Sequence, residues 1–272
     1  GSDRFEVASD RDVQIFKFGG PAPQSVNIQT TDVQQFVRLL GLEGDDTFNI
    51  PGDVSIGAGA SLIVQGGDPS AGSDVLNFIG SGGNISVNVS DPLVPIIQEL
   101  PGAPVAYVGV ENINIDANGG SVAVLGGPVA QTFNVTPGAP AAGAFNVDGE
   151  SPQFTYRNAA NGFAVAGDSE DVVNIFGDAF ADNVTTPAPN TVSVDGSEVL
   201  LLGPIGRLEL HTLGGDDNVT LGLDLLGTEV LVDAGTGNDS VNASAMTQGV
   251  TLLGGDGNDE LRGSDGDDLI DG

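Results

Sequence analysis

Residues 254–272 hold two tandem nine-residue units and the first residue of a third, and few folds accommodate such a pattern. Gly254-Gly255-Asp256-Gly257-Asn258-Asp259-Glu260-Leu261-Arg262 is followed by Gly263-Ser264-Asp265-Gly266-Asp267-Asp268-Leu269-Ile270-Asp271 and Gly272. Both units read G-[G/S]-x-G-x-D-x-U-x, where U is a large apolar residue. The pattern joins a glycine-rich acidic turn to a short β-strand, and its repetition makes a solenoid.

A looser form, G-x-D-x-U-x-U, recurs through the chain. Copies centre on Asp3, Asp46, Asp74, Asp217 and Asp239, with weaker ones at Asp171 and Asp182. Apolar pairs sit nine and seven positions before the aspartate: Val37 and Leu39 for Asp46, Leu208 and Leu210 for Asp217, Val230 and Val232 for Asp239, Val250 and Leu252 for Asp259. Asp74 has Leu62 and Val64, displaced by an insertion at Pro69-Ser70-Ala71. Residues two apart on a strand share a face, so these pairs and the residue two after each aspartate should point inward.

The expected architecture is therefore all-β, a parallel β-helix or β-roll with glycine-rich acidic turns. Spacings of 22 from Asp217 to Asp239 and 20 from Asp239 to Asp259 suit one coil of 20–22 residues. Asp268 lies half a coil further on and should occupy the opposite edge. Residues 1–80 read as a first solenoid module and 168–272 as a second, with strands at Val13 to Phe18, Val26 to Ile28, Val192 to Val194 and Val199 to Leu202. Between them, 81–167 is an irregular middle that keeps alternation, as at Phe133-Asn134-Val135, but loses the acidic turn. Its proline-rich stretches, Pro92 to Pro104 and Pro137 to Pro140, read as loops or a short insertion.

Composition supports this reading. With 42 glycines and 15 prolines among 272 residues, turns are frequent and long helices are disfavoured. A formal net charge of −31 disfavours nucleic acid and anionic membrane and favours divalent cations. Hydrophobic residues make up 39%, enough for a core despite that charge. Cysteine is absent, so neither a disulfide nor a thiolate metal site can form. No apolar run approaches membrane-spanning length, and no signal peptide is visible. The stop at the opening glycine of a third repeat leads us to expect a segment of a larger protein.

Calcium takes six to eight oxygen ligands at about 2.3–2.6 Å and accepts carboxylates and carbonyls together. Glycine lets a turn aim its carbonyls inward. Two stacked turns would each supply about half a shell. Asp217, Asp239 and Asp259 are thus the main candidate ligands, with Asp268 in a turn that lacks its following partner. Gly237 and Gly257 shape the turns. Asp216, Asn238, Asp256, Asn258 and Asp265 are candidates for carbonyl or outer contacts, and Asp45 and Asp46 form a shorter site. The plain alternative is an ordinary β-turn. For Asp3, Asp74, Asp171 and Asp182, a solvated turn or strand cap is the better reading.

Residues 254–272 resemble the haemolysin-type (RTX) calcium-binding nonapeptide repeats of bacterial secreted proteins. That match spans under a tenth of the chain; the remainder looks like the looser Gly-Asp-Asp repeats of very large bacterial surface proteins. The resemblance implies a β-roll, calcium as cofactor, calcium-triggered folding and extracellular residence, with Asp259 and Asp268 as ligands. The chain departs from the family in its longer coils and in Ala234 at a glycine position.

Two functions fit. One is a non-enzymatic, calcium-stabilised structural or adhesive segment, with an extracellular polysaccharide or surface protein as candidate partner. The other is a β-helical polysaccharide lyase or epimerase, or a carbohydrate-binding module, with a calcium-binding tail. The enzymatic reading is weak: Arg4, Arg11, Lys17, Arg38, Arg157, Arg207 and Arg262 are few and scattered, His211 is alone and alternates outward, and Tyr107 and Tyr156 lie far apart. The Asp91-Pro92 bond and the Asn-x-Ser/Thr triplets read as ordinary sequence.

Overall fold

The computed structural model describes residues 3–7, 13–17, 36–42, 45–55, 61–67, 74–91, 95–149, 152–222, 225 and 227–272. The strand expected at Val26 to Ile28 and the insertion at Pro69-Ser70-Ala71 lie outside them. Among these residues every regular element is a β-strand, and the fold is a parallel-dominated β-solenoid. Two compact units divide the chain, Gly1–Leu125 with Glu150–Asn161 and Gly126–Gly149 with Gly162–Gly272.

In the first unit one sheet runs Val13–Lys17, Asp3–Val7, Thr47–Pro51, Val75–Ile79, Asn112–Asp116, Gln153–Arg157. All its neighbours are parallel except the first pair. Strict alternation sends every second side chain inward. Phe48, Leu76, Ile113 and Phe154 stack in one inner column, and Ile50, Phe78, Ile115 and Tyr156 in the next. All eight are buried. Each fully buried side chain of this size contributes about 1.5–3 kcal/mol, so the columns hold the coils in register.

The opposing sheet carries Phe36–Leu42, Ser61–Gly67 and Val105–Val108 in parallel. Ile96–Glu99 and Asn84–Asn88 follow as antiparallel neighbours, and Ser121–Leu125 resumes the parallel order. The proline-rich stretch thus contains a strand, Ile96–Glu99, inserted between two strands of the coil.

The second unit repeats this logic. One sheet runs Gly143–Val147, Thr132–Pro137, Val172–Phe176, Arg207–His211, Glu229–Asp233, Val250–Leu253, Leu269–Asp271. Ile175, Leu210, Val232, Leu252 and Ile270 share an inner column. The facing sheet holds Phe163–Ala166, Ser197–Leu202, Thr191–Val194, Asn183–Ala188, Asn218–Thr220, Ser240–Asn242 and Glu260–Arg262. Thr191–Val194 is antiparallel to both neighbours. Every inward pair expected from the spacing rule is buried, as are Phe48, Leu76, Val219 and Val241 two residues after their aspartates. Leu261, two residues after Asp259, is half-buried and lies on the end strand of its sheet.

Coil length departs from the expected 20–22 residues. Equivalent turn residues are 28 apart from Asp46 to Asp74, 37 from Asp74 to Glu111 and 35 from Asp182 to Asp217. Only the last two intervals, 22 and 20, match. In the 37- and 35-residue intervals the surplus includes the antiparallel strands Ile96–Glu99 and Thr191–Val194, which pair within the sheets, so they satisfy their own backbone groups and leave the stacking intact. That is the form the irregular middle takes.

Candidate metal centre

In the second unit the Asp182, Asp217, Asp239 and Asp259 turns all lead from the sheet containing Val172–Phe176 into the facing sheet, so they stack along one edge. Asp171 and Asp268 lie on turns running the other way, placing Asp268 on the opposite edge as its half-coil spacing required.

The last three turns of the main column share a backbone form that their glycines permit. Leu213 and Gly215, Gly235 and Gly237, and Gly255 and Gly257 all have positive φ. Coils approach so closely that a Cβ on Gly237 would lie 1.7 Å from the Gly215 carbonyl oxygen. One on Gly257 would lie 1.5 Å from that of Gly237. Neighbouring turns also bond directly. Gly215 N donates to Thr236 O at 2.9 Å, Gly237 N to Asp256 O at 2.9 Å, and Asp256 N to Gly235 O at 2.8 Å.

The motif aspartates form a ladder. Asp217 Oδ1 accepts from Asp182 N at 2.7 Å, Asp239 Oδ1 from Asp217 N at 2.8 Å, and Asp259 Oδ1 from Asp239 N at 3.0 Å. Each carboxylate therefore caps the amide of the coil before it. The second oxygens fall into two classes. Asp182 Oδ2 accepts from Asp178 N, Asp171 Oδ2 from Asp168 N and Asp268 Oδ2 from Ser264 N. In the positive-φ turns of Asp217 and Asp239 no equivalent amide bond forms. Asp217 and Asp239 are 3% and 2% exposed, and their Oδ2 atoms are buried without any hydrogen-bond donor. An unsatisfied buried carboxylate oxygen is costly, and a cation is the group that would relieve it.

The other candidate residues take distinct places. Asp216 Oδ1 accepts from both Asn238 N and Asn238 Nδ2, and Asn238 Oδ1 from Asn258 N and Nδ2, making an outer ladder beside the aspartates. The amide bond from Asn238 N holds the Asp216 carboxyl below its ordinary value. Asp256 joins the column through its backbone, as above. Asp265 N donates to Met246 O. Asp268 is fully engaged: Oδ1 accepts from Ser264 Oγ at 2.6 Å and Val250 N at 3.0 Å. The Ser264 hydroxyl lowers its pKa. In the first unit, Asp45 is exposed, and buried Asp46 donates its N–H to Asp74 Oδ1 at 2.8 Å. Asp74, Asp171 and Asp182 are caps, though buried rather than solvated.

Two further carboxylates, both glutamates, cap turn amides. Glu111 Oε2 accepts from Asp74 N at 2.7 Å, so the ladder continues into the middle section on a glutamate. This corrects the expectation that residues 81–167 lack the acidic turn entirely. Glu99, 1% exposed, accepts from Ser81 N and Gly83 N, and a Cβ on Gly52 would lie 2.1 Å from its Oε2. Glu99→Ala leaves two part-buried amides without their acceptor, and an unpaired amide that is buried costs about 1–3 kcal/mol. We expect a stability loss on the order of 3 kcal/mol, read from the urea midpoint; an unchanged midpoint would show that water replaces the carboxylate.

The column also sets a pH response in the absence of metal. Burial, with the neighbouring Asp217 carboxylate, pushes Asp182 up to about 6. Burial also raises Asp74 and Asp239. An unfolded aspartate titrates near 3.9. The folded chain therefore binds these protons more tightly; the stability they contribute is present below about pH 4 and lost as pH rises, for Asp182 through about 6. The lowered groups, Asp216 and Asp268, contribute stability that is present above about pH 4 and lost only below it. In EDTA the melting temperature should be higher at pH 5 than at pH 7.5. A fall on acidification would contradict the assignment.

Among the described residues no three His, Cys, Asp or Glu side chains converge as a metal cluster, so an ion here would draw on backbone carbonyls. His211, outward as its alternation implied, sits between Glu209 (Nε2 to Oε2 3.2 Å) and Asp233 (Nδ1 to Oδ2 3.5 Å) and stacks on Phe176. Comparison of the chain with protein-family models, with curated proteins and with solved structures finds no match.

Proposed function

We propose that the chain is a calcium-binding structural or adhesive segment of a large secreted or cell-surface bacterial protein. The observation that carries this reading is the pair of buried, donorless oxygens, Asp217 Oδ2 and Asp239 Oδ2, in stacked glycine turns. Asp217 and Asp239 would supply charge, Asp259 the next carboxylate, and turn carbonyls and water the remaining oxygens. Asp268, already saturated by Ser264 and Val250, contributes less. The Asp45–Asp46 turn is a further candidate. Calcium bound there neutralises like charges and links binding to folding.

A non-catalytic role accords with the environment of the groups a lyase would need. Tyr107 and Tyr156 are 2% and 4% exposed, and His211 is held between two carboxylates. The test is a melting curve in EDTA and in millimolar calcium, with calorimetric titration for stoichiometry. Calcium should raise the melting temperature and titrate to at least one site. Superimposable curves with no heat of binding would refute the proposal.

A further inference from the structure

The outer face of strands Thr47–Pro51, Val75–Ile79, Asn112–Asp116 and Gln153–Arg157 carries a groove of about 520 Å³. We propose that this groove binds a neutral polysaccharide chain, a site separate in its residues from the acidic turns.

One row of its lining is a ladder of amides. Asn77 Nδ2 donates to Asn49 Oδ1 at 2.8 Å, Asn114 Nδ2 to Asn77 Oδ1 at 2.9 Å, and Thr155 Oγ1 to Asn114 Oδ1 at 2.7 Å. A side-chain amide has two N–H donors and an oxygen with two lone pairs. The ladder uses one N–H and one lone pair at each inner rung, so each keeps a donor and an acceptor for a ligand. Parallel strands lie about 4.8 Å apart. The array therefore repeats at a fixed spacing, which suits a polymer of regularly placed hydroxyls better than a compact solute.

The adjoining row, in register with the first, is Ile79, Asp116 and Arg157. Ile79 is 47% exposed and offers an apolar surface for the C–H face of a sugar ring. Arg157 Nη2 and Nε both reach Asp116 Oδ2 at 2.9 Å, and Asn158 Nδ2 donates to Asp116 Oδ1 at 2.8 Å. This pair presents fixed donors and acceptors with no net charge. A polyanion would meet only Arg157, already paired, on a chain of charge −31. A peptide strand finds no free edge here, because the backbones of these four strands pair with one another. With hydrogen bonds as the main attraction, affinity should be about millimolar, roughly −4 kcal/mol.

The test titrates the full chain, saturated with calcium, with hexaoses of β-1,4-glucan, β-1,3-glucan, β-1,4-mannan and α-1,4-glucan, and with a galacturonate hexamer. Amide chemical shifts report binding, and each variant's melting curve reports folding. We expect at least one neutral hexaose to bind and the uronate to bind more weakly. Asn114→Ala should weaken that binding by about fivefold or more. Arg157→Ala, at a side chain 71% exposed and tolerant of truncation, should do the same. Asn174→Ala, in the amide ladder of the second unit, should leave it unchanged. The proposal falls if no neutral hexaose binds, if the uronate binds more tightly, or if both groove variants bind like the parent. None of these outcomes alters the calcium response, so the two readings fail separately.

Discussion

Replacing Asp217 and Asp239 together by asparagine is expected to erase most of the stabilisation by calcium while leaving the metal-free chain folded. Asparagine keeps the Oδ1 that caps the preceding coil, through Asp182 N at 2.7 Å and residue 217 N at 2.8 Å. It removes the charge that would attract the ion. At calcium 100-fold above its dissociation constant, one site contributes about 2.7 kcal/mol. For a chain of this size that is roughly 5–10 °C in melting temperature. The contrast with alanine separates metal binding from capping. Asp239→Ala should lose the calcium response and also destabilise the chain in EDTA by about 1–3 kcal/mol, because the amide of Asp217 is left buried and unpaired. If the asparagine pair keeps its full calcium response, the ion sits elsewhere.

Gly237→Ala should be among the most damaging single substitutions in the second unit. Its φ of +153 suits glycine, and an added Cβ would lie 1.7 Å from the Gly215 carbonyl oxygen and 3.0 Å from Asp239 Oδ1. The oxygen belongs to backbone, so relief requires the coils to separate. Separation breaks Gly215 N to Thr236 O and Thr236 N to Leu213 O. We expect a loss on the order of 3 kcal/mol, a fall of roughly 10 °C by scanning calorimetry in EDTA. A change under about 2 °C would mean the turn adopts another backbone path.

The inner columns were readable because they depend on a local period. Leu208, Leu210, Val230, Val232, Val250 and Leu252 recur in phase with their aspartates, and stacking needs nothing else. The opposite-edge position of Asp268 followed from the same count. Three features were not readable. The antiparallel pairing of Ile96–Glu99, and of Thr191–Val194 that was expected as a strand, lies within a coil, so it breaks the repeat without leaving the sheet. Glu99 and Glu111 cap amides contributed by residues distant in sequence; Glu111 sits in the repeat at Gly109-Val110-Glu111-Asn112-Ile113 with glutamate for aspartate, whereas Glu99 lies in no such turn. The amide ladder of Asn49, Asn77 and Asn114 exists only once unequal coils are brought into register. Within the acidic turns, sequence could mark the aspartates but could not sort the capped from the donorless. The donorless oxygens of Asp217 and Asp239 coincide with positive φ at Leu213, Gly215, Gly235 and Gly237, a backbone form that the aspartate spacing alone does not reveal.

The most direct measurement is a crystal structure of the chain grown with millimolar calcium, using anomalous scattering to place the ions. An ion at about 2.3–2.6 Å from the Oδ2 atoms of Asp217 and Asp239 is predicted. Those oxygens facing only water or protein amides, with the calcium elsewhere, would contradict a cation shared between neighbouring coils.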